Sequence, residues 1–399
     1  MRVRQQVNEF DSIVVGNGLF GSAAARHLSR LESRVAVIGP DEQAKITDHS
    51  GVFASHYDEG RLTRLVDRNH TWAWATRRAV AGYHGLERAS GIRFHHPVGA
   101  LMVGRRGRHV GHVSDPIEMA RDCGIAHDLY QPGDKTWQAL FPHLDFPDTH
   151  YVLHEPAPAG FINPRRLIQA QNAVAAGHGA GIIREIVVAV RARPGGAVVT
   201  TAGGTTYRAR KVLVTAGAFT NFNNLLTDDL PLTLKTEAVV LARVAPADWN
   251  RLRHMPTVKY EVDSTELEGI YMIPPVRYPD GAYYIKAGAN TGSDDQLTTL
   301  GQVQAWFRDG SSDASLPFYE EALRAMWPDT DFLSLATKRC IVCYTPGRNP
   351  IIDQVDSAIF VAAGGNGGGA KASDAWGELA AGLVHDGRWP DAIPRLSAR

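Results

Sequence analysis

The chain has 399 residues, 44% hydrophobic and 21% charged, with 42 Lys plus Arg matched by 42 Asp plus Glu. That length calls for about two or three domains, and the charge balance excludes a broadly basic nucleic-acid or membrane-surface binder. Three cysteines, Cys123, Cys340 and Cys343, make no disulfide framework; residues 1–10 lack an apolar leader and no apolar run nears ~18 residues, so a reducing, cytoplasmic protein is expected.

Ile13-Val14-Val15 is a buried strand run, followed by Gly16-Asn-Gly18-Leu19-Phe20-Gly21 and an Ala-rich helix from Ser22 to Leu31. This is G-x-G-x-x-G spacing in a strand–turn–helix context. Gly16 permits the tight turn, Gly18 lets backbone approach a pyrophosphate, and Gly21 lets helix pack on strand. Leu19 and Phe20 lie where the helix N-terminus offers N–H groups and positive dipole to phosphates. Arg34 to Ile38 is the second strand. The acid that ordinarily ends it and binds ribose is replaced by Gly39. A displaced Asp41 or Glu42, or water and backbone, would take that role; a solvated loop is the alternative reading of both acids.

A polar loop runs to Gly60, and residues 69–90 read as helix. Strands are expected over 98–103, 182–190, 197–201 and 211–215, with a helix from Arg165 to Ala176. From Pro231 to about 336, strands over 232–243, 257–262, 269–273 and 282–288 carry helices over 302–307 and 318–326, an α+β pattern. A strand over 358–362, a Gly-rich turn and an Ala-rich helix over 373–384 form a second strand–turn–helix unit. His95-His96 and His109-x-x-His112 have no third ligand at fixed spacing, so no metal site is expected.

With these segments placed, the chain resembles the D-amino-acid oxidase superfamily of flavoproteins, and within it the sarcosine oxidase and N-methyltryptophan oxidase branch. The segment Ser55-His56-Tyr57-Asp58-Glu59-Gly60-Arg61-Leu62-Thr63-Arg64 matches a family stretch beside the flavin. The resemblance implies that Ser55, His56 and Arg61 line the flavin. It puts Arg64 on the substrate carboxylate, a task suited to a planar guanidinium. Lys371 matches a lysine that shares that carboxylate, and Lys286 one that promotes reaction with oxygen. Surface positions are the alternative for all four cations. Asn290 stands where the family carries a pocket histidine.

Val187 falls on the strand that holds the adenine, and Ala216 and Gly217 on the turn over the pyrophosphate. Gly364, Gly365, Asn366 and Gly367 fall on the loop beside the isoalloxazine. Cys340 matches the cysteine that bonds the flavin 8-position carbon, while a local gap would favour Cys343. A buried unreactive pair and a Cys-x-x-Cys redox pair stay open as alternatives.

The resemblance implies an α/β protein: a Rossmann-like FAD-binding domain from 1–90, 155–230 and 335–399, and an α+β mixed-sheet substrate domain from 91–154 and 231–334. The implied reaction oxidises the C–N bond of a carboxylate-bearing secondary or cyclic amine or amino acid, with hydride passing to FAD and O2 reoxidising it to H2O2. The alternatives are a dehydrogenase with another acceptor, a non-catalytic flavin-binding subunit and a nicotinamide-reduced hydroxylase. No side-chain base stands out. Tyr260, Tyr271, Met272, Tyr278, Tyr283 and Trp306 are candidates for an aromatic substrate wall or ordinary strand residues. Neither the amine nor the oligomeric state is legible.

Overall fold

The computed structural model describes residues 8–45, 51–105 and 115–398; the His109–His112 pair lies outside them. An 8-stranded sheet carries five parallel strands in the order Gly181–Ile183, Val35–Ile38, Asn8–Val15, Thr206–Val214 and Ile359–Ala363. All four residues of Val35–Ile38 and all five of Ile359–Ala363 are buried, as expected of parallel strands covered on both faces. Alternate side chains feed two cores. Val14, Val37, Leu213 and Phe360 pack against helices Leu19–Leu28, His70–Ser90, Pro164–Gly177 and Gly369–Asp386. Ile13, Val15, Ile38, Val212 and Val361 fill the other face.

Helices Leu19–Leu28 and Gly369–Asp386 touch along small residues. A Cβ added at Gly377 would lie 2.5 Å from Ala23 Cβ and 2.6 Å from Ala24 N. The contact is locked by a buried polar network: Arg26 Nη2 donates to Asp374 Oδ1 (2.6 Å), Arg26 Nε to Gln171 Oε1 (2.5 Å), and Gln171 Nε2 to Asp374 Oδ1 (2.9 Å). Burial pushes the Asp374 carboxyl up, but hydrogen bonds from His27 and Gln171 and the Arg26 charge hold it well below the usual carboxylate range. Asp374→Ala will destabilise the fold by about 3–5 kcal/mol, because it strands a buried guanidinium. Urea unfolding measures this, and a loss below about 1 kcal/mol refutes it. The depressed value makes this contribution complete above the unfolded value near 3.9, and it is lost as pH falls through the folded value.

A 9-stranded mixed sheet builds the second layer. Its long strand Thr233–Val244 pairs with Tyr283–Gly288 on one side and with Ser334–Tyr344 on the other, from Thr233 opposite Tyr344 to Arg243 opposite Ser334. The segment from 335 was grouped by sequence with the cofactor domain, yet this ladder lies wholly in the second sheet. Arg61–Thr63, Gly160–Ile162 and His95–His96 make a 3-stranded sheet. Among the described residues no helix is long and apolar enough to cross a membrane, and no cluster of three or more His, Cys, Asp or Glu is placed to hold a metal.

Candidate active site

The two strand–turn–helix units and the second sheet line a cavity of about 1010 Å³. Gly16 is at φ +104°, left-handed backbone that favours glycine, and its N–H donates to Ile38 O at 2.7 Å. A Cβ at Gly21 would collide with Gly16 O and Thr215 Oγ1, so Gly21 packs behind the turn, outside the cavity lining. Gly18 caps the helix Leu19–Leu28 with no side-chain hydrogen bond, and nothing lies within 4 Å of where its Cβ would stand. The helix thus presents uncapped N–H groups to open space beside Leu19 and Phe20, a fit for a pyrophosphate.

The other expected cofactor residues converge on the same cavity. Ala216 and Gly217 line it next to Thr215, whose Oγ1 donates to Val15 O and Gly16 O at 2.9 Å. Val187 lines it, as do Ser55, His56 and Arg61. His56 is held neutral, with its pKa down at about 3 through burial and the Arg165 and Arg61 charges. Its Nδ1 is buried without a partner. Gly364, Gly365, Asn366 and Gly367 form the wall that opens helix Gly369–Asp386. Asn366 Oδ1 accepts from Thr345 N at 2.9 Å and fixes that loop.

Three expected residues are elsewhere. Asp41 is exposed, outside the lining, and ion-paired with Arg184; Glu42 is engaged by Arg165 at 2.5 Å. The reason no acid follows the second strand is local. A Cβ at Gly39 would stand 2.5 Å from Asn17 N and 2.9 Å from Asn17 Cβ, so no side chain fits there. Asn17 fills that corner of the cavity, and its Oδ1 is buried without a partner. Lys286 is fully buried behind the lining: Nζ meets Asp58 at 2.6 Å and Gly60 O at 3.0 Å, 5.5 Å from the Tyr271 ring centroid. Asp58 also accepts from Tyr278 Oη at 2.7 Å and pairs with Arg61.

Arg64 and Lys371, 307 positions apart (371 − 64), meet on one carboxylate. Asp67 Oδ2 accepts from Arg64 Nη2 at 3.2 Å and pairs closely with Lys371 Nζ. Burial pushes the Asp67 carboxyl up, yet the Lys371 and Arg64 charges hold it at about 2. Asp67 is positioned by its Oδ1, which takes Asn69 N at 3.1 Å just before helix His70–Ser90 begins. Glu155 pins the loop from across the fold, accepting from Leu65 N (2.5 Å) and Val66 N (3.0 Å). Trp72 lies under the Lys371 ammonium at 5.9 Å.

Asp67, Glu155 and Lys259 were not anticipated from sequence. Lys259 lines this part of the cavity with no ion pair among the described residues. Burial and the Arg64, Arg68 and Lys371 charges bring its amine to about 8; burial and Arg64 bring Lys371 to about 8. Both are cations only below that value, so carboxylate affinity will fall as pH rises past about 8, by roughly tenfold per unit at the steepest. Titrating a carboxylate inhibitor from pH 6 to 10 checks this, and a flat profile refutes it.

Cys340 and Cys343 both line the cavity. Burial, with Glu237 adding to it, keeps the Cys340 thiol raised, partly offset by Arg61, Lys286 and Lys338; burial pushes Cys343 to about 12, offset by no cation among the described residues. Of the aromatic candidates, Tyr271 lines the cavity. Tyr260 and Met272 sit in the second core, and Tyr283 stacks on Trp249 at 4.7 Å. Trp306 Nε1 donates to Cys340 O at 2.9 Å. Tyr344, Phe53 and Trp72 line it instead.

The family model for FAD dependent oxidoreductases, DAO, matches residues 11–383. N-methyl-L-tryptophan oxidase of Yersinia pestis (strain Pestoides F) is 25% identical over 398 residues, 98% of each chain. Among solved structures, the open form of NikD, an unusual amino acid oxidase essential for nikkomycin biosynthesis, matches with a TM-score of 0.75 at 20% identity over 98% of both chains. Iminodiacetate oxidase from Chelativorans sp. BNC1 gives 0.66 at 21% identity, covering 97% of this chain and 98% of that one. L-proline dehydrogenase from P. horikoshii gives 0.69 at 19%, covering 95% and 94%. With a family model running from the first strand into the last helix, and a glycine cradle built as that family's cofactor requires, this chain belongs to the DAO family of FAD dependent oxidoreductases.

Proposed function

We propose that this chain oxidises the C–N bond of a secondary or cyclic amine that bears a carboxylate. The observation that carries this reading is the meeting of Arg64 and Lys371 on Asp67, in the same cavity as the glycine cradle. The names of three relatives supply the substrate class: N-methyl-L-tryptophan, iminodiacetate and L-proline are all secondary amines carrying carboxylate.

Bound FAD would supply the two-electron acceptor, with O2 as the final oxidant giving H2O2. The residues that would hold it are the Gly16–Gly21 turn, the Ala216–Gly217 turn, Val187 and the Gly364–Gly367 loop. Asn17 Oδ1 would stand in for the missing ribose acid. Cys340, faced by three cations, is the better tether than Cys343. Arg64 and Lys371 grip the substrate carboxylate, which fixes the reacting carbon relative to the cavity wall. A second reading, a dehydrogenase with another electron acceptor, is favoured by one observation: Lys286 Nζ is committed to Asp58 behind the lining, where burial and Arg61 push its amine well below its usual value.

Anaerobic titration of the yellow holoenzyme with N-methyl, cyclic and primary amino acids tests the reading. Bleaching that reverses on admitting air is expected. Bleaching that persists in air supports the dehydrogenase, and no bleaching by any of them overturns the proposal. Acid-precipitated protein should stay yellow, and Cys340→Ser should release the colour into the supernatant.

A further inference from the structure

We infer that Glu237 receives the proton of the substrate ammonium, so that the amine is held between a cationic wall at its carboxylate and the Glu237 carboxyl at its nitrogen. The assignment rests on the proposed function and adds the group that reading lacks.

Glu237 lies midway along Thr233–Val244, opposite Cys340 in one ladder. In the other, the pairing ends two residues away, at Val239 opposite Gly288. Glu237, Asn290 and Tyr271 all line the cavity. Asn290 Oδ1 is already taken by Tyr344 Oη at 3.2 Å. Among the described residues no hydrogen bond or ion pair reaches the Glu237 carboxyl, and Glu268 is a second carboxyl in the same cavity lining. The charges that act on it through space are Lys286 on Tyr283–Gly288, Arg61 in the 3-stranded sheet, Lys259 on Thr257–Tyr260, and Asp294 in the loop beyond. Cys340, Tyr271, Tyr319 and Tyr344 complete the set.

The two cations nearest in effect are engaged elsewhere. Lys286 is bound to Asp58, and Arg61 to Asp58, Gly60 O and Ser55 O. An uncommitted carboxyl in such a wall is suited to a cationic ligand. Burial, partly offset by Lys286 and Arg61, brings it to about 7, close to where a general base works best. Lys259 ties the two walls together, because its charge acts on Glu237 while Arg64 and Lys371 act on it.

An amino acid arrives as an ammonium, whose nitrogen has no free electron pair. On transfer an N–H bond breaks, an O–H bond forms on Glu237, and the electron pair stays on nitrogen as a lone pair. No electrons leave the substrate in this step, and the proton returns to solvent from Glu237.

The test compares L-proline with cyclopentanecarboxylate, in which CH2 replaces the ring nitrogen, by the shift each causes in holoenzyme flavin absorbance. The ratio of their affinities cancels the carboxylate clamp. In the wild type the preference for L-proline should rise about tenfold from pH 6 to 8, as Glu237 ionises. Glu237→Gln should abolish that rise while holding cyclopentanecarboxylate within about twofold, and should slow anaerobic flavin reduction by about 10². Glu237→Asp should restore part of the rise. A rise that survives in Glu237→Gln, or its absence in both Glu237→Asp and the wild type, overturns the assignment alone. A wild type that binds neither ring at any pH overturns the proposed function, and this assignment with it.

Discussion

Gly18→Val and Gly21→Val will both yield protein stripped of FAD, but only the second will be damaged as a fold. At Gly21 an added Cβ runs into the backbone oxygen of Gly16 and into Thr215. Neither can retreat, since Gly16 is bonded to Ile38 and Thr215 to Val15. The helix must lift off the strand, at a cost of about 3 kcal/mol or more for overpacking a rigid contact. At Gly18 an added Cβ meets no protein atom within 4 Å. It fills the space in front of the uncapped helix N-terminus, where a pyrophosphate would sit. Copurified flavin absorbance should fall at least 100-fold in both, an order-of-magnitude expectation for losing close backbone approach. Urea midpoints compared with flavin-free wild type separate them: unchanged for Gly18→Val, clearly lowered for Gly21→Val. A Gly18→Val protein that keeps its FAD would mean the cradle is not where the phosphates lie.

Arg64→Ala will cut kcat/KM for the preferred amine by about 10³ while leaving flavin content unchanged. The guanidinium offers two charge-assisted bonds to a carboxylate, each contributing about 1.5–3 kcal/mol. A loss of about 4 kcal/mol is three decades in rate. Arg64 Nε is buried without a partner, which leaves that donor available to a ligand. Because Asp67 keeps Lys371 as a partner, the variant should fold normally. Arg64→Lys should recover little, since an ammonium cannot reproduce the fork. Equal activity of Arg64→Ala on the amino acid and on its decarboxylated amine would be consistent with the proposal; equal activity of the wild type on the two would end it.

The cradle was readable because its chemistry is local. Gly16, Gly18 and Gly21 sit in one turn whose spacing follows from the geometry of strand, loop and helix. The meeting of Arg64 with Lys371 was readable only through likeness to a family, since nothing in spacing joins positions so far apart. Asp67 and Glu155 were not readable. A carboxylate that positions a loop looks like any surface acid until the fold buries it. Asp41 illustrates the converse. The expected acid was sought next to Gly39, but the close approach of Asn17 forbids any side chain at that glycine and turns the following acids outward. Glu237 had a faint signal, an acid inside an eleven-position ladder opposite Cys340, but only the cavity showed that it lacks a partner.

The parallel strands Asn8–Val15, Thr206–Val214 and Ile359–Ala363 lie side by side although they come from the start, middle and end of the chain. On a ribosome adding about 5–20 residues per second, the first glycine turn emerges long before the strand and helix that wall it. The cradle therefore has no partner for its outer face until the strand Ile359–Ala363 has been made, and such non-local pairing is slow to form. Nascent chains stalled before the strand Ile359–Ala363 should not retain FAD, whereas chains extended past the helix Gly369–Asp386 should. Flavin loading then waits for that last parallel neighbour, and the open sheet edge before it arrives is where a chaperone would have to act.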